Sequence, residues 1–520
     1  MDFWKRHRGL LAVLAAVAAA YFFWGGSRNI GDLLGDGPSY LMLAEHLSFL
    51  GDKDPVWDHV GALSRFPPGY PLLLAICGAS ADLWRAHAVT ILCLPLALLA
   101  YYLWLLEQGF NRTQSTLLVI LIALLPSTLW QGLRIQSEYL YLALSALALL
   151  LLNRCQRSPG RSTPYAAALV IAAAILTREV GLSLLPSLAL CLRRVSARTA
   201  LIGLAIAVLP FVDWHVLHHA PVTYSQILAG TYGGNAFQQI KDQLAAELPA
   251  LRLGFSSALS QREPPLALSD ILGLVCLAAA CWRALQFKPD AVYAAANIVI
   301  LAFWPFPEES SRFLWVLMPI LLVQPPLLLA QWRRQSCSAS IPAAALVLIA
   351  ATVLSMTLPA VYFVAGRYRT VAAFPIRDAH SQLNWYLNDV GQAVIGSAEE
   401  EAIIDALSYA QTVVPTDDCI LSPRYDIAAY FSRRRSYEYA FPDASNAAFD
   451  QRIHAVDCHY ALVYAVTDRI FSVPMYPAGR MAAYSDVVWR SELPVEAGQG
   501  RRTLCELLKL HGPNRAADGK

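Results

Sequence analysis

An aspartate and a proline-rich turn stand just outside the first apolar run of this sequence. Asp36 lies in GDGPSYLMLAEHL (35–47), soon after LLAVLAAVAAAYFFWGG. A carboxylate there can act as a general base or a metal ligand, with Tyr40 one turn further along the same helical face. An aspartate ahead of Gly-Pro can equally be a helix N-cap, accepting from N–H groups that the first turn leaves unpaired. Downstream, SRFPPGYPLLLA (64–75) carries Arg65 and Tyr70 in a loop stiffened by Pro67, Pro68 and Pro71, with Gly69 permitting a turn. Such a loop either re-enters the apolar phase or walls a substrate groove.

Three further ionisable residues border apolar runs: Glu138 in LRIQSEYL (133–140), Arg178 in LTREVGLSLLP (176–186) and Arg312 in SRFLWVLMP (311–319). Arginine beside a membrane-length segment is costly and usually faces a cavity or an anion. Its fork suits phosphate oxygens and it stays charged. Arg178 has Glu179 as an alternative partner, Arg312 has Glu308 or Glu309, and Glu138 has the option of snorkelling to the interface. WHVLHH (214–219) puts His215, His218 and His219 on one helical face; that spacing could bind a metal, but it reads as an interfacial patch. The run SRRRSYEY (432–439) reads as a solvated edge.

The elements that must position these residues are mostly membrane spans. Of 520 residues, 56% are hydrophobic and 15% charged, with mean hydropathy +0.43. Soluble proteins average about 25% charged residues, so a polytopic membrane protein is expected. The net charge of +2 decides nothing by itself, and no nucleic-acid partner is expected. The N-terminal basic head and apolar body resemble a cleaved secretory signal; with many spans following, a retained first span is the favoured reading.

About eleven spans are expected, near 9–26, 88–106, 113–130, 138–152, 164–177, 180–192, 199–217, 269–286, 290–305, 312–331 and 340–362. Lys5, Arg6 and Arg8 precede the first. Arg154, Arg157 and Arg161 follow the fourth, Arg193, Arg194 and Arg198 the sixth, Arg283 and Lys288 the eighth, and Arg333 and Arg334 the tenth. That alternation places all of them, with the N-terminus, on the cytoplasmic side, and leaves loops 27–87 and 218–268 outside with the tail. The pair 164–177 and 180–192 is too short for two full crossings and reads as a shallow hairpin with TREVG at its tip.

The expected domains are a membrane module, 1–362, and an extracytoplasmic α/β domain, 363–520. In the tail, CILSP, HYALVYAV and TLCELLKL read as strands, and YDIAAYFSRR and DASNAAFDQRIHAV as helices, suggesting a largely parallel sheet. Ten cysteines are scattered without a CxxC. Cys419 and Cys458 each begin an expected strand; parallel neighbours there would allow a disulfide, with Cys505 left over, and free thiols are the alternative.

Taken in order, GDGPSYLMLAEHL, RFPPGYPLLLA, LRIQSEYL, LTREVGLSLLP, SRFLWVLMP and a tail containing VVPTDDCILSPRYDIAAYFSRRRSYEY resemble the GT-C membrane glycosyltransferases, relatives of protein O-mannosyltransferases and lipid A aminoarabinose transferases. The resemblance implies a multi-pass enzyme of the cytoplasmic (inner) membrane that takes a sugar from a polyprenyl-phosphate carrier. The acceptor would be a glycolipid, polysaccharide or protein hydroxyl at the outer face. It implies Asp36 as the base, sometimes near a divalent metal ion, Glu138 as a contact to metal or acceptor, and Arg178 and Arg312 as holders of the carrier phosphate. Arg65 is a further phosphate candidate on its loop, and Tyr40 and Tyr70 are candidate substrate contacts beside them. The first loop departs from the family in having one acid where two adjacent acids are common, which weakens the metal expectation. No nucleotide cofactor is expected, since no nucleotide-binding fingerprint is present. A transporter or flippase of a lipid-linked saccharide is the alternative; it would carry charges near the bilayer midplane and repeated halves, and no internal repeat is visible.

Overall fold

Each of the eleven apolar segments contains an apolar helix in the computed structural model of the chain. The structure describes residues 7–25, 35–49, 56, 66–132, 134–157, 160, 162–217, 236–260, 267–304, 310–335, 343–371, 390–438, 456–464, 466–467, 472–473, 481, 485–494 and 501–511. Among these, five helices are long and apolar enough to cross a membrane: Leu83–Gln108, Glu138–Arg157, Ala197–Leu217, Ala267–Leu285 and Arg312–Trp332. Six apolar helices are shorter: Arg8–Phe23, Arg112–Leu124, Thr163–Thr177, Glu179–Leu192, Pro289–Ala302 and Ala343–Pro359. The chain divides into two compact units, Met1–Arg28 with Arg65–Gly366, and Asn29–Ser64 with Arg367–Lys520. The loop 27–87, expected to lie wholly in the membrane module, is therefore split. Its stretch 29–64, with Asp36 and Tyr40, clusters with the tail.

In the first unit the helices pack over Trp104, Tyr101, Tyr141, Tyr293 and Trp315, all fully buried. Their outer faces are apolar too: Leu169, Leu201, Leu274 and Leu348 are each more than 60% exposed. The Ala197–Leu217 helix buries only Gly203 and Ala207. Apolar side chains on both faces fit a bundle whose solvent is hydrocarbon.

Polar residues are sorted to the helix ends. Glu107, at the end of Leu83–Gln108, pairs with Arg154 and Arg157 at 3.0 and 3.2 Å. Arg194 donates to the Gln156 carbonyl at 2.6 Å, and the His7 ring lies 2.9 Å from the Tyr102 hydroxyl. The basic groups flanking the first, fourth and sixth segments thus gather at one end. Glu138 opens the helix that Arg157 closes, 20 residues and about 30 Å away along the axis.

The short hairpin forms as expected. Helix Thr163–Thr177 stops where Arg178 turns extended (φ −152°, ψ 133°), a 3-10 turn follows over Glu179–Leu184, and Leu185–Leu192 is helical. Gly181 makes the fold-back possible: a Cβ there would lie 2.8 Å from the Ile175 nitrogen.

The second unit holds a five-stranded sheet, β1 (Cys419–Ser422), β2 (Arg435–Glu438), β3 (Tyr460–Tyr464), β6 (Ser485–Pro494) and β7 (Arg501–Leu510), with the pair β4 (Val466–Thr467) and β5 (Ser472–Val473) apart. The order is β2-β1-β3-β7-β6. β1 runs parallel to β2 and β3, but β7 is antiparallel to both β3 and β6. The sheet is mixed, not largely parallel, because the short 495–500 connection can only return antiparallel. Helix Tyr425–Ser432 joins β1 to β2, as its sequence suggested. Within the run 432–439, Arg435–Glu438 form the edge strand β2, and Arg434 donates to the Val414 and Gln411 carbonyls at 2.8 Å. Most of DASNAAFDQRIHAV lies outside the described residues.

Cys419 and Cys458 are joined in a disulfide with Cα atoms 4.9 Å apart, and Cys505 is free and buried in β7. The bridge closes a loop of 39 residues. Cys419→Ser is expected to cost the tail about 2–4 kcal/mol, seen as earlier loss of protease resistance on heating. An unchanged melting profile would show that the bridge contributes little.

Candidate active site

Glu138 is the first residue of the Glu138–Arg157 helix and is 1% exposed. Its Oε1 lies 2.8 Å from Arg178 Nη1 and accepts a bond from Arg312 Nε. Arg178 Nη1 also donates to Ser137 Oγ at 3.1 Å, and its guanidinium carbon stands 4.8 Å from the Phe313 ring centroid. A buried carboxylate without partners would cost several kcal/mol; the two guanidinium groups offset that.

The surrounding helices hold these side chains in place. Tyr139, next to Glu138, donates to the Thr128 carbonyl at 2.5 Å. Trp315, one turn past Arg312, donates to Thr128 Oγ1 at 2.9 Å and packs edge-on against Tyr139. Pro68 and Gly69 lead the loop onto the end of the Thr163–Thr177 helix: a Cβ on Gly69 would sit 2.7 Å from the Leu176 carbonyl oxygen, two residues before Arg178. That close approach explains a glycine after two prolines.

The expected local pairings differ. Glu179 faces His215 at 3.2 Å instead of Arg178, and Glu308, Glu309, His218 and His219 lie outside the described residues. Arg65 also lies outside them. Tyr70 is fully buried with its hydroxyl 2.5 Å from Thr90 Oγ1, and Tyr40 is buried in the helix Gly37–Leu47. The structure brings Glu138, Arg178 and Arg312 together, a cluster that no local spacing announced.

Asp36 sits at the N-cap of Gly37–Leu47, but its side chain makes no capping hydrogen bond. Within the second unit, Arg424 Nη2 donates to the Gly35 carbonyl at 3.0 Å, and Ser39 Oγ donates to Asp426 Oδ2 at 2.7 Å. Arg424 grips Asp426 with two prongs, Nε to Oδ1 at 3.1 Å and Nη2 to Oδ2 at 2.9 Å. Burial opposes both charges. Mutual attraction nevertheless raises the Arg424 pKa, with Tyr464 and Asp36 adding to it, and holds Asp426 below its ordinary value with help from Ser39. Because the native value of Asp426 is lowered, its contribution is complete above an unfolded pKa of about 3.9 and is lost as pH falls through that lower value. Arg424 and Asp426 escaped the sequence reading; the only signal was an Arg-x-Asp after Ser-Pro at the end of a strand.

No family model matches the sequence, and no match is found among curated proteins. Solved structures do match. ArnT from Cupriavidus metallidurans bound to undecaprenyl phosphate superposes over 97% of this chain and 99% of its own, with 14% identity and TM-score 0.50. The chain shares the fold of that structure. The archaeal oligosaccharyltransferase AglB from Archaeoglobus fulgidus, in complex with an inhibitory peptide and a dolichol-phosphate, also matches, at 11% identity over 89% of this chain and 70% of its own (TM-score 0.42).

The GT-C resemblance also implies a divalent ion, and the residues present do not fit one at Glu138. Two guanidinium groups within bonding distance oppose a cation there, and among the described residues no three His, Cys, Asp or Glu side chains stand close enough to hold a metal. No step below runs through a metal.

Removing the counter-ion should be costly. Glu138→Gln leaves two buried guanidinium groups facing each other and is expected to lose about 3–5 kcal/mol, read as a lower thermal midpoint in detergent, with Glu138→Asp intermediate. An unchanged midpoint would show that the pairings contribute nothing net.

Proposed function

We propose that this chain transfers a sugar from a polyprenyl-phosphate carrier to an acceptor hydroxyl at the outer face of the cytoplasmic membrane, with inversion at the anomeric carbon. The observation that carries the reading is the buried Glu138–Arg178–Arg312 cluster, which brings two guanidinium groups together, in a GT-C fold. The undecaprenyl phosphate held by the ArnT neighbour supports a lipid phosphate as the anion.

In this reading Arg178 and Arg312 bind the carrier phosphate, with Arg65 and Tyr70 as further contacts and Tyr40 beside the base. Arg178 uses Nη1 for Glu138 and Ser137, so its Nε and Nη2 face the phosphate oxygens. The acceptor hydroxyl gives its proton to the Asp36 carboxylate as its oxygen attacks the anomeric carbon. The bond from that carbon to the phosphate oxygen breaks on the opposite face, and its electron pair leaves with the lipid phosphate. Guanidinium groups fixed before the reaction stabilise charge that develops on the leaving group without reorganising.

Envelope glycolipids and glycoproteins from cells expressing wild type, Asp36→Asn or no protein test the base. Mass spectrometry should show the same product missing from the mutant and the null strain; full product from the mutant would refute the assignment. Arg178→Gln and Arg312→Gln should each weaken undecaprenyl phosphate binding about tenfold or more, the loss of one charge-assisted hydrogen bond. Unchanged affinity in both would remove the phosphate site.

Orientation has its own test. With the exposed native cysteines replaced by serine, Arg501→Cys in the tail should react with a membrane-impermeant maleimide in intact cells, and Arg198→Cys should react only after permeabilisation. The reverse pattern would put the tail in the cytoplasm and end the proposal.

A further inference from the structure

We propose that Arg424 and Asp426 position the Asp36 carboxylate, which makes the tail part of the transfer machinery. The two tail contacts fall on either side of the base: Arg424 holds the carbonyl of Gly35, and Asp426 holds the hydroxyl of Ser39. Between those points lies one turn of chain, with Asp36 inside it. Asp36 stands at the N-cap of the helix that Ser39 belongs to, and makes no side-chain cap to it.

The gripping pair is itself well fixed. Arg424 and Asp426 form a two-pronged ion pair, Asp426 is 3% exposed, and the Arg424 backbone is tied to the Ser422 hydroxyl through both its N–H and its carbonyl, at 3.3 and 3.0 Å. Arg424 stands at the N-cap of Tyr425–Ser432, directly after β1, so the sheet sets its position. A rigid strand-to-helix turn thereby sets the place of a loop carboxylate 388 positions earlier in the chain (424 − 36). A carboxylate displaced by about 1 Å from its productive place would lose on the order of 10²-fold in rate.

This inference rests on Asp36 being the base. Its test uses the full-length protein with Arg424→Gln and Arg424→Lys, the second keeping the charge but not the two-pronged grip. Folding of the tail is read from the Cys419–Cys458 disulfide, by resistance to alkylation without reductant, and from the protease fragment pattern. Donor-site integrity is read from undecaprenyl phosphate binding in nanodiscs. The expected result is a folded tail, unchanged undecaprenyl phosphate affinity, and envelope product reduced about 10²-fold in Arg424→Gln and less in Arg424→Lys.

Wild-type product from a folded Arg424→Gln would overturn the inference. So would loss of the disulfide in both variants, since the role would then be structural, or a parallel loss of undecaprenyl phosphate affinity, which would place Arg424 in the donor site. If Asp36→Asn is inactive while both Arg424 variants are fully active, this inference falls alone. Full product from Asp36→Asn would remove the base reading, and this inference with it.

Discussion

A single carboxylate held between two guanidinium groups organises the membrane unit. Arg178 and Arg312 face the buried Glu138 carboxylate, and each side of the pairing offsets the cost of burying the other. Each residue comes from a different part of the chain. Satisfying them requires the hairpin to break at Arg178, the Pro68-Gly69 turn to press onto the helix end beside it, and Tyr139 and Trp315 to meet over Thr128.

The chain uses its two notable carboxylates differently, and their surroundings explain why. Glu138 is almost fully buried and already engaged by two cations, which suits a fixed counter-ion and suits a proton acceptor poorly. Asp36 is half-buried at the start of a short helix, flanked by backbone and hydroxyl contacts from the Arg424–Asp426 pair.

Hydrocarbon as solvent accounts for the remaining layout. Leucines cover the outer faces of the helices, while arginines and their partners are confined to the helix ends, where Glu107 collects Arg154 and Arg157. Short helices such as Thr163–Thr177 and Leu185–Leu192 cannot span alone, and they turn back where other helices cover their ends. The reactive cluster lies at the end of the Glu138–Arg157 helix opposite the basic clusters.

The sequence alone placed the eleven apolar segments in which the described apolar helices fall, the hairpin at 176–186 and the strands at Cys419 and Tyr460, because hydropathy, period and turn chemistry are local properties. It left the Cys419–Cys458 bridge open against free thiols, and the fold closed it. The sequence also singled out Asp36, Glu138, Arg178 and Arg312. Their partners were another matter: spacing pointed Arg178 at Glu179, whereas the fold joined Arg178 and Arg312 to Glu138. It likewise set Asp426 against Ser39 and turned the last strands antiparallel. Those contacts link residues 174 and 387 positions apart, for Arg312–Glu138 and Ser39–Asp426. A charge beside an apolar run advertises in sequence that it needs a counter-charge; only packing in three dimensions chooses which one arrives.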